Sequence, residues 1–394
     1  MSLRIAYITD ERFPSVHTDC QQIVKTADAL AGRGCAVDFI APRMARHLFM
    51  SRQERLRAIA SYYNVEGRFT LRDLLLWPAS DLRAEKLFHG LFAPLAAALG
   101  DYDVIHTRNI LPLTASARLG LPVLFETYRA LPESDPRAWR AVLRASRGRR
   151  FLGIVAHSDF SRESLVANGA APDAVATIPN GYDPADFADV PPRDEARRAL
   201  GLPADRPLAV YAGHLRPDKG VGALVDLAED VPEAHLVLVG GKREDIDLVR
   251  ADAERRGLSN VSLPGHVPVT RVSWYLAAAD VLLLLPTAAP LKHAGRTVLP
   301  MKTFSYLAAG RATLAPDLPD THGILVDGRN AVLVRPDDRA DAANALRRLL
   351  GDPGLSGALG RGAAADAAQY TWDGRAQRLI AFYESRLDAI SSAV

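Results

Sequence analysis

Residues 208–228 read LAVYAGHLRPDKGVGALVDLA. The first five are uninterruptedly apolar, which suits a strand buried on both faces of a parallel sheet. Gly213 ends that run, and Gly220 precedes apolar residues at helical spacing. A strand, a turn bounded by glycines and a helix make a βα unit, with Arg216 and Lys219 at the rim where the strand passes into the helix. In an open α/β sheet, ligands bind beyond the carboxyl ends of the strands. Gly213 permits close backbone approach there. A helix N-terminus adds unpaired N–H groups and a partial positive charge. With two cations beside it, the turn suits a diphosphate. The alternative is a solvent-exposed turn whose cations pair with Asp218 and Asp226.

The same alternation extends outward along the chain. LRIAYIT from Leu3, AVDFIAP from Ala36, DVIHT from Asp103, PVLFET from Pro122 and GIVAHS from Gly153 are continuous apolar runs. After Leu208 the scheme repeats with AHLVLVGG from Ala234, NVSLPG from Asn260, DVLLLLP from Asp280 and RATLAPD from Arg311. Helical patterns lie between, such as 21–33, with Gly34 as a stop signal. Strands alternating with helices twice over predict an α/β fold of two doubly wound, Rossmann-like domains. Prolines and charges over 187–207 interrupt the strand pattern. The expected division is an N-terminal domain over 1–190, a linker over 191–207, a C-terminal domain over 208–369 and a closing amphipathic helix over 370–394 that crosses back to the N-terminal domain.

Composition sets the outer bounds. The chain has 394 residues, 48% hydrophobic and 24% charged, which are ordinary globular values. A net charge of +2 excludes nucleic acid as an expected partner. Two cysteines, Cys20 and Cys35, imply no disulfide framework and a reducing compartment. The apolar part of MSLRIAYITDERF is too short for a secretory leader, and VLLLLP at 281–286 is far short of a membrane span of ~20 residues. The expectation is a cytoplasmic protein.

The second half also carries ATIPNGYDPADF, YAGHLRPDKG, LVLVGG, VSLPGHVP, YLAAADVLLLLP, PMKTFSYLAAG and HGILVDGRNAVLVRPDD in this order. That series resembles the retaining, two-Rossmann (GT-B) glycosyltransferases of family 4, glycosyl transferases group 1. IAYITDERFPSVHTDCQQIVKTADALAGRGCAVDFIAP is similar to the opening of such enzymes, and YTWDGRAQRLIAFYESRL to their closing helix. The resemblance implies two domains facing each other across a cleft, with the nucleotide sugar on the C-terminal one and the acceptor on the N-terminal one. It implies Arg216 and Lys219 as the catalytic pair that grips the diphosphate. Cations fixed where negative charge develops on a leaving group are the usual largest contribution in such catalysis. No cofactor and no metal are then expected.

Departures from the family pattern define the remaining candidates. Many members carry two glutamates eight positions apart, and alignment on FSYLAAG puts Thr297 and Ser305 at those places. A serine hydroxyl is a weaker, single-centre substitute for a carboxylate on the ribose. The local LPMKTFSYLAAG is closer to a subgroup with P-x-K before the helix. Expected contacts to the sugar nucleotide are therefore Gly213, His266 in GHVP, Thr297, Val298, Leu299, Met301, Lys302 and Ser305. Lys302 is either a further cation or a side chain that reaches from a helix start to solvent.

In the first half, SVHTD stands where the family often has a Gly-Gly loop, leaving His17 and Thr18 as ligand contacts. LFETYR resembles a family E-x-His segment with Tyr128 in the His position. Arg108, Glu126, Tyr128 and His157 fall at strand ends as acceptor or cleft-lining candidates, as does His106. Each also has a purely structural reading. PRAWRAVLRASRGRR places Arg137, Arg140, Arg144 and Arg147 at helical spacing, followed by Arg149 and Arg150. With Trp139, Val142 and Leu143 interleaved, 137–150 is either a solvated basic face or a peripheral contact with the inner membrane face or a phosphorylated acceptor.

The expected activity is transfer of a sugar from a nucleotide diphosphate sugar to a small-molecule, glycan or lipid-linked acceptor, with retention. Two rivals stand beside it. A nucleotide-sugar 2-epimerase needs several histidines and carboxylates around the sugar, which the acid-poor 297–305 stretch does not supply. A degenerate protein that binds a sugar nucleotide without turnover is motivated by the missing acids, and opposed by the retained Arg216 and Lys219.

Overall fold

Burial on both faces is what turns the continuous apolar runs into inner strands of parallel sheets. A computed structural model of the chain describes residues 2–44, 47–74, 82–289, 291 and 299–392. It divides into two units, Met1–Asn180 with Trp372–Val394, and Gly181–Thr371.

The first unit holds β1 (Arg4–Ile8), β2 (Ala36–Pro42), β3 (Thr70–Leu74), β4 (Val104–Thr107), β5 (Val123–Thr127), β6 (Phe151–Ala156) and β7 (Val175–Thr177). Their spatial order is β3-β2-β1-β4-β5-β6-β7, all parallel. The chain winds one way from β1 to β3 and the other way from β4 to β7, so the switch point lies between β1 and β4. One apolar layer joins Ile23, Val24 and Leu30 to Leu379 and Tyr383 of the helix Trp372–Ser391. The opposite layer holds Ala93, Leu113, Trp139 and Leu165, one from each of four successive crossover helices.

The second unit holds β8 (Leu208–Ala212), β9 (His235–Val239), β10 (Val261–Gly265), β11 (Val281–Leu283), β12 (Ala312–Pro316) and β13 (Val332–Val334), in the order β10-β9-β8-β11-β12-β13. All pairs are again parallel, and the switch point lies between β8 and β11. Every residue of β8, β9, β11 and β12 is buried, which is why their sequences read as unbroken apolar runs.

The stretch expected as a linker over 191–207 is folded into the second unit. Residues Arg193–Leu200 are helical and seat Ala196 against Ala277 and Ala278. Arg197 donates to Asp280 at 2.6 Å and to the Ala278 carbonyl at 2.8 Å. Its prolines and charges cap and pair this helix, and the division falls earlier, after Asn180, in place of the boundary expected at 190. The closing helix begins at Trp372 and belongs to the first unit.

Candidate active site

The loop beyond β8 is shaped by close backbone packing. Gly213 has φ +153° and donates its N–H to the Val239 carbonyl at 2.8 Å. A Cβ on Gly240 would collide with the Gly213 carbonyl, and a Cβ on Gly213 would collide with the Lys302 ammonium. Only glycine fits either place. The rim of the sheet is thereby left as bare backbone at the switch point.

One tyrosine ties the two diverging central strands together there. Tyr306, on the helix Lys302–Ala308, accepts from the Ala212 N–H at 2.8 Å and donates to the Leu283 carbonyl at 3.2 Å. This anchors the helix across the ends of β8 and β11 and brings its first turn beside the Gly213 loop. Lys302 is half-buried, with its ammonium 3.7 Å from the centre of the Tyr211 ring, and does not reach to solvent. Among the described residues it has no carboxylate partner. Burial alone pulls its pKa down to about 7. Ser305, one residue before the anchoring tyrosine, is half-buried, with no hydrogen bond to its hydroxyl among the described residues.

The two cations of the turn differ in what they touch. Arg216 is exposed and forks onto Asp218 at 2.9 and 2.5 Å, so half of the bland pairing exists. Asp226 instead pairs with Arg256 at 2.6 Å and Arg339 at 3.5 Å. Lys219 closes a 3-10 turn over Pro217–Lys219 and makes no ion pair among the described residues. Gly220, at φ +83°, lies against Thr287 of the loop after β11, whose hydroxyl donates to Asp337. Of the other sugar-nucleotide candidates, His266 is exposed just past β10 and Met301 caps the helix. Leu299 packs its side chain into the core, which leaves only its backbone for a ligand. Thr297 and Val298 lie outside the described residues.

The first unit buries two of the acceptor or cleft-lining candidates, Glu126 and His157. Glu126 is completely buried and its carboxylate is surrounded by hydrogen-bond donors. One oxygen accepts from His157 Nε2 at 2.5 Å, Gln22 Nε2 at 2.7 Å and Arg375 Nη2 at 2.8 Å. The other accepts from His106 Nε2 at 2.6 Å and, more distantly, from the Tyr7 hydroxyl. Burial opposes the charge on Glu126, but Arg375 and the two histidine N–H groups outweigh it and hold the carboxyl well below its usual range. Burial drives the histidines the other way, His157 to about 4 and His106 also down. Both are therefore neutral, with Nε2–H facing Glu126. His106 Nδ1 is left to accept from the Tyr383 hydroxyl at 2.5 Å. Glu126 and His157 are thus members of a buried network that pins the helix Trp372–Ser391 to the sheet, and Gln22 links it outward to Arg108, which donates to the Gln22 amide oxygen at 2.5 Å. Gln22, Arg375 and Tyr383 belong to it as well, and no motif in the sequence singles them out.

Other groups of the first unit do reach its rim. His17 and Thr18 are exposed at the start of the helix Thr18–Gly32. Tyr128 is half-buried between two guanidinium groups, Arg108 at 5.5 Å and Arg129 at 5.2 Å from its ring centre. At the switch point itself, Asp10 accepts from the Asn109 amide at 2.6 Å and faces Lys86 at 3.5 Å. Burial lifts the Asp10 carboxyl to about 6 in spite of that ammonium. The sequence signal for this cluster was its position alone, directly after the first strand. Among the described residues no group of three or more His, Cys, Asp and Glu is placed to hold a metal ion, and no helix is long and apolar enough to cross a membrane.

Comparison with known proteins fits both units into one family. Residues 206–352 match the family model described as glycosyl transferases group 1, and residues 21–186 match that of glycosyltransferase family 4. A D-inositol 3-phosphate glycosyltransferase of Xylanimonas cellulosilytica is 30% identical over 307 residues, 73% of this chain and 68% of the relative. The fold is similar to that of a sucrose-phosphate synthase from Thermosynechococcus elongatus, with TM-score 0.76 at 19% identity over 98% of this chain and all of that one. It is also similar to Anabaena HepE solved in complex with UDP, with TM-score 0.71 at 17% identity over 98% and 100%. The chain belongs to the family 4 glycosyltransferases, enzymes that here take the form of two Rossmann-like, GT-B type domains.

Proposed function

We propose that the enzyme moves a glycosyl unit from a nucleotide diphosphate sugar to a hydroxyl acceptor, with retention of anomeric configuration. The observation that carries this reading is the glycine rim at the switch point of the second sheet, with Lys302 against Gly213 and with Arg216 and Lys219 on the turn that follows it. Departure of a diphosphate concentrates negative charge there. Preorganised cations and backbone N–H groups stabilise that charge without reorganising. A neighbour in fold, HepE, was solved with UDP, which supports the donor class. In this reading Arg216 exchanges Asp218 for phosphate oxygens, and Ser305 faces the ribose.

On the acceptor side, the relative named for D-inositol 3-phosphate supports a phosphorylated polyol. Arg108 and Arg129, stacked on Tyr128, offer the cations for it. Side-chain cations meet the diphosphate charge, so no metal takes part in this reading and activity survives a chelator. The enzyme works in the cytoplasm, where nucleotide sugars are made and two buried thiols stay reduced.

Arg216→Ala and Lys219→Ala test the reading. Each lowers kcat/KM by about 10²-fold, equivalent to ~2–4 kcal/mol of lost transition-state stabilisation, with thermal stability unchanged because both lie on a loop. Full turnover in either variant removes the diphosphate role. A second reading, binding without turnover, is favoured by the Arg216–Asp218 pair and the serine at 305. A thermal shift with UDP, GDP or ADP, together with no release of nucleotide from any sugar donor, would establish it.

A further inference from the structure

We infer that the first unit docks on an anionic lipid bilayer through the outer surface of three helices on one side of its sheet. The helix Leu82–Ala98 buries Ala93 and Ala97 against the sheet. Its opposite face turns Leu87, Phe88, Leu91, Phe92 and Leu95 to solvent, and Leu99 follows at its end. Phe92 is 54% exposed and Leu99 91%. These positions fall four apart in two adjacent rows, so they form one apolar stripe along the helix. Scattered exposed apolar residues are ordinary, but a contiguous stripe of this kind marks an interaction surface.

What covers the stripe is indicated by its neighbours. The helix Leu82–Ala98 packs against Ile110–Arg118, and that helix packs against Pro136–Ala145, all on one side of the sheet. The third helix and its C-terminal turn expose Arg137, Arg140, Arg144, Arg147, Arg149 and Arg150, and the second adds Arg118. None of these makes an ion pair among the described residues. The helix Pro136–Ala145 supplies charge only. Trp139 and Val142 are turned inward, with the indole N–H donating to the Asn168 carbonyl at 3.1 Å. The apolar share of the surface, expected from the residues between the arginines, comes instead from the helix Leu82–Ala98.

An apolar helix on the same side of the sheet as a row of arginines, with the helix Ile110–Arg118 between, matches the two layers of a lipid surface. The stripe sinks to the level of the acyl boundary and the guanidinium groups meet the headgroup phosphates. A second copy of the chain would cover the stripe but leave the arginines without a counter-charge, because the same three helices present no matching row of carboxylates. The inference stands apart from the proposed reaction and holds whatever sugar or acceptor the enzyme uses.

Flotation with vesicles of phosphatidylcholine, with and without phosphatidylglycerol, tests it on the full chain. Binding should rise with the anionic fraction and fall steeply between low and high salt. Arg140→Glu should weaken it at least about fivefold, the share of one basic residue near an anionic surface. Leu91→Ser with Phe92→Ser should abolish it while leaving the melting temperature and turnover of a water-soluble acceptor unchanged, since both side chains are largely exposed. Failure to bind any vesicle, or equal binding to neutral and anionic ones, overturns the inference. So does a dimer in light scattering that the Leu91/Phe92 variant converts to a monomer, because the stripe would then be an interface between copies.

Discussion

At the carboxyl end of β5, the buried Glu126 carboxylate is met by Arg375, His106, His157 and Gln22 within 2.8 Å. Beyond β8, Arg216 is held only by its neighbour Asp218 at the surface, while Lys219 and Lys302 have no carboxylate partner among the described residues. Both groups occupy the end of a parallel sheet where ligands bind, and both consist of ionisable side chains. What separates them is satisfaction. A buried charge with a full complement of donors is part of the fold, whereas cations near a glycine rim that outnumber the carboxylates paired with them are a place for an anion to come. Location at a strand end selects candidates; the hydrogen-bond account decides among them.

The largest effect that would break this comparison lies in the buried network. Glu126→Gln leaves the Arg375 guanidinium buried without a counter-charge, and removal of one partner of such a pair costs about 3–5 kcal/mol. Urea denaturation should show that loss, while the fraction still folded keeps its affinity for nucleotide. A normal stability together with a selective rise in KM for the acceptor would return Glu126 to the ligand-binding residues.

Lys302 sharpens the other side. Its pKa of about 7 in the fold lies below the ~10.4 of an unfolded chain. Between those values the unfolded state holds the extra proton, so the nucleotide-free enzyme gains stability as pH rises through the window and carries the full penalty below it. A diphosphate favours the ammonium. At pH 8, where a terminal phosphate with pKa ~6 is already ionised, binding should take up nearly one proton. Calorimetry in buffers of different ionisation enthalpy reads this directly. Lys302→Met should abolish the uptake and weaken nucleotide affinity at least tenfold, the usual order for a charged hydrogen bond. Uptake that persists in the variant would assign the proton elsewhere.

Ser305 gives the smallest effect. Its hydroxyl, if it faces the ribose, is worth about 0.5–1.5 kcal/mol, so Ser305→Ala should weaken nucleotide binding about two- to twelvefold. Ser305→Glu places a carboxylate three residues from Lys302, on the same face of the helix. It should tighten the ribose contact and, by pairing with the lysine, suppress the proton uptake. Equal affinity in wild type and both variants would show that the position does not touch the nucleotide.

Continuous apolar runs identify β1, β2, β4, β5 and β6, and β8, β9, β11 and β12, because strands covered on both faces have no use for alternation; β10, an edge strand without a buried residue, was marked by NVSLPG instead. The runs passed over β3, β7 and β13. These are edge strands, short or half-exposed, with burial too patchy to leave a run of that kind. The residues at 191–207 were misleading for a related reason. Their helix is amphipathic and eight residues long, and it is stable only because Ala277, Ala278 and Asp280 receive it.

By itself the sequence determined two parallel α/β sheets, the glycine-bounded turn with Arg216 and Lys219, and membership in a family whose motifs run in order, since each of these is written in local pattern and spacing. The tertiary structure alone decided that Glu126 and His157 are internal and that Lys302 rests on Tyr211. It alone set the apolar row of the helix Leu82–Ala98 on the same side of the sheet as the arginines. Those outcomes depend on partners as distant in sequence as Glu126 and Arg375, or Tyr211 and Lys302. Whether a polar side chain is satisfied or waiting is a property of its surroundings, which no local pattern of residues records.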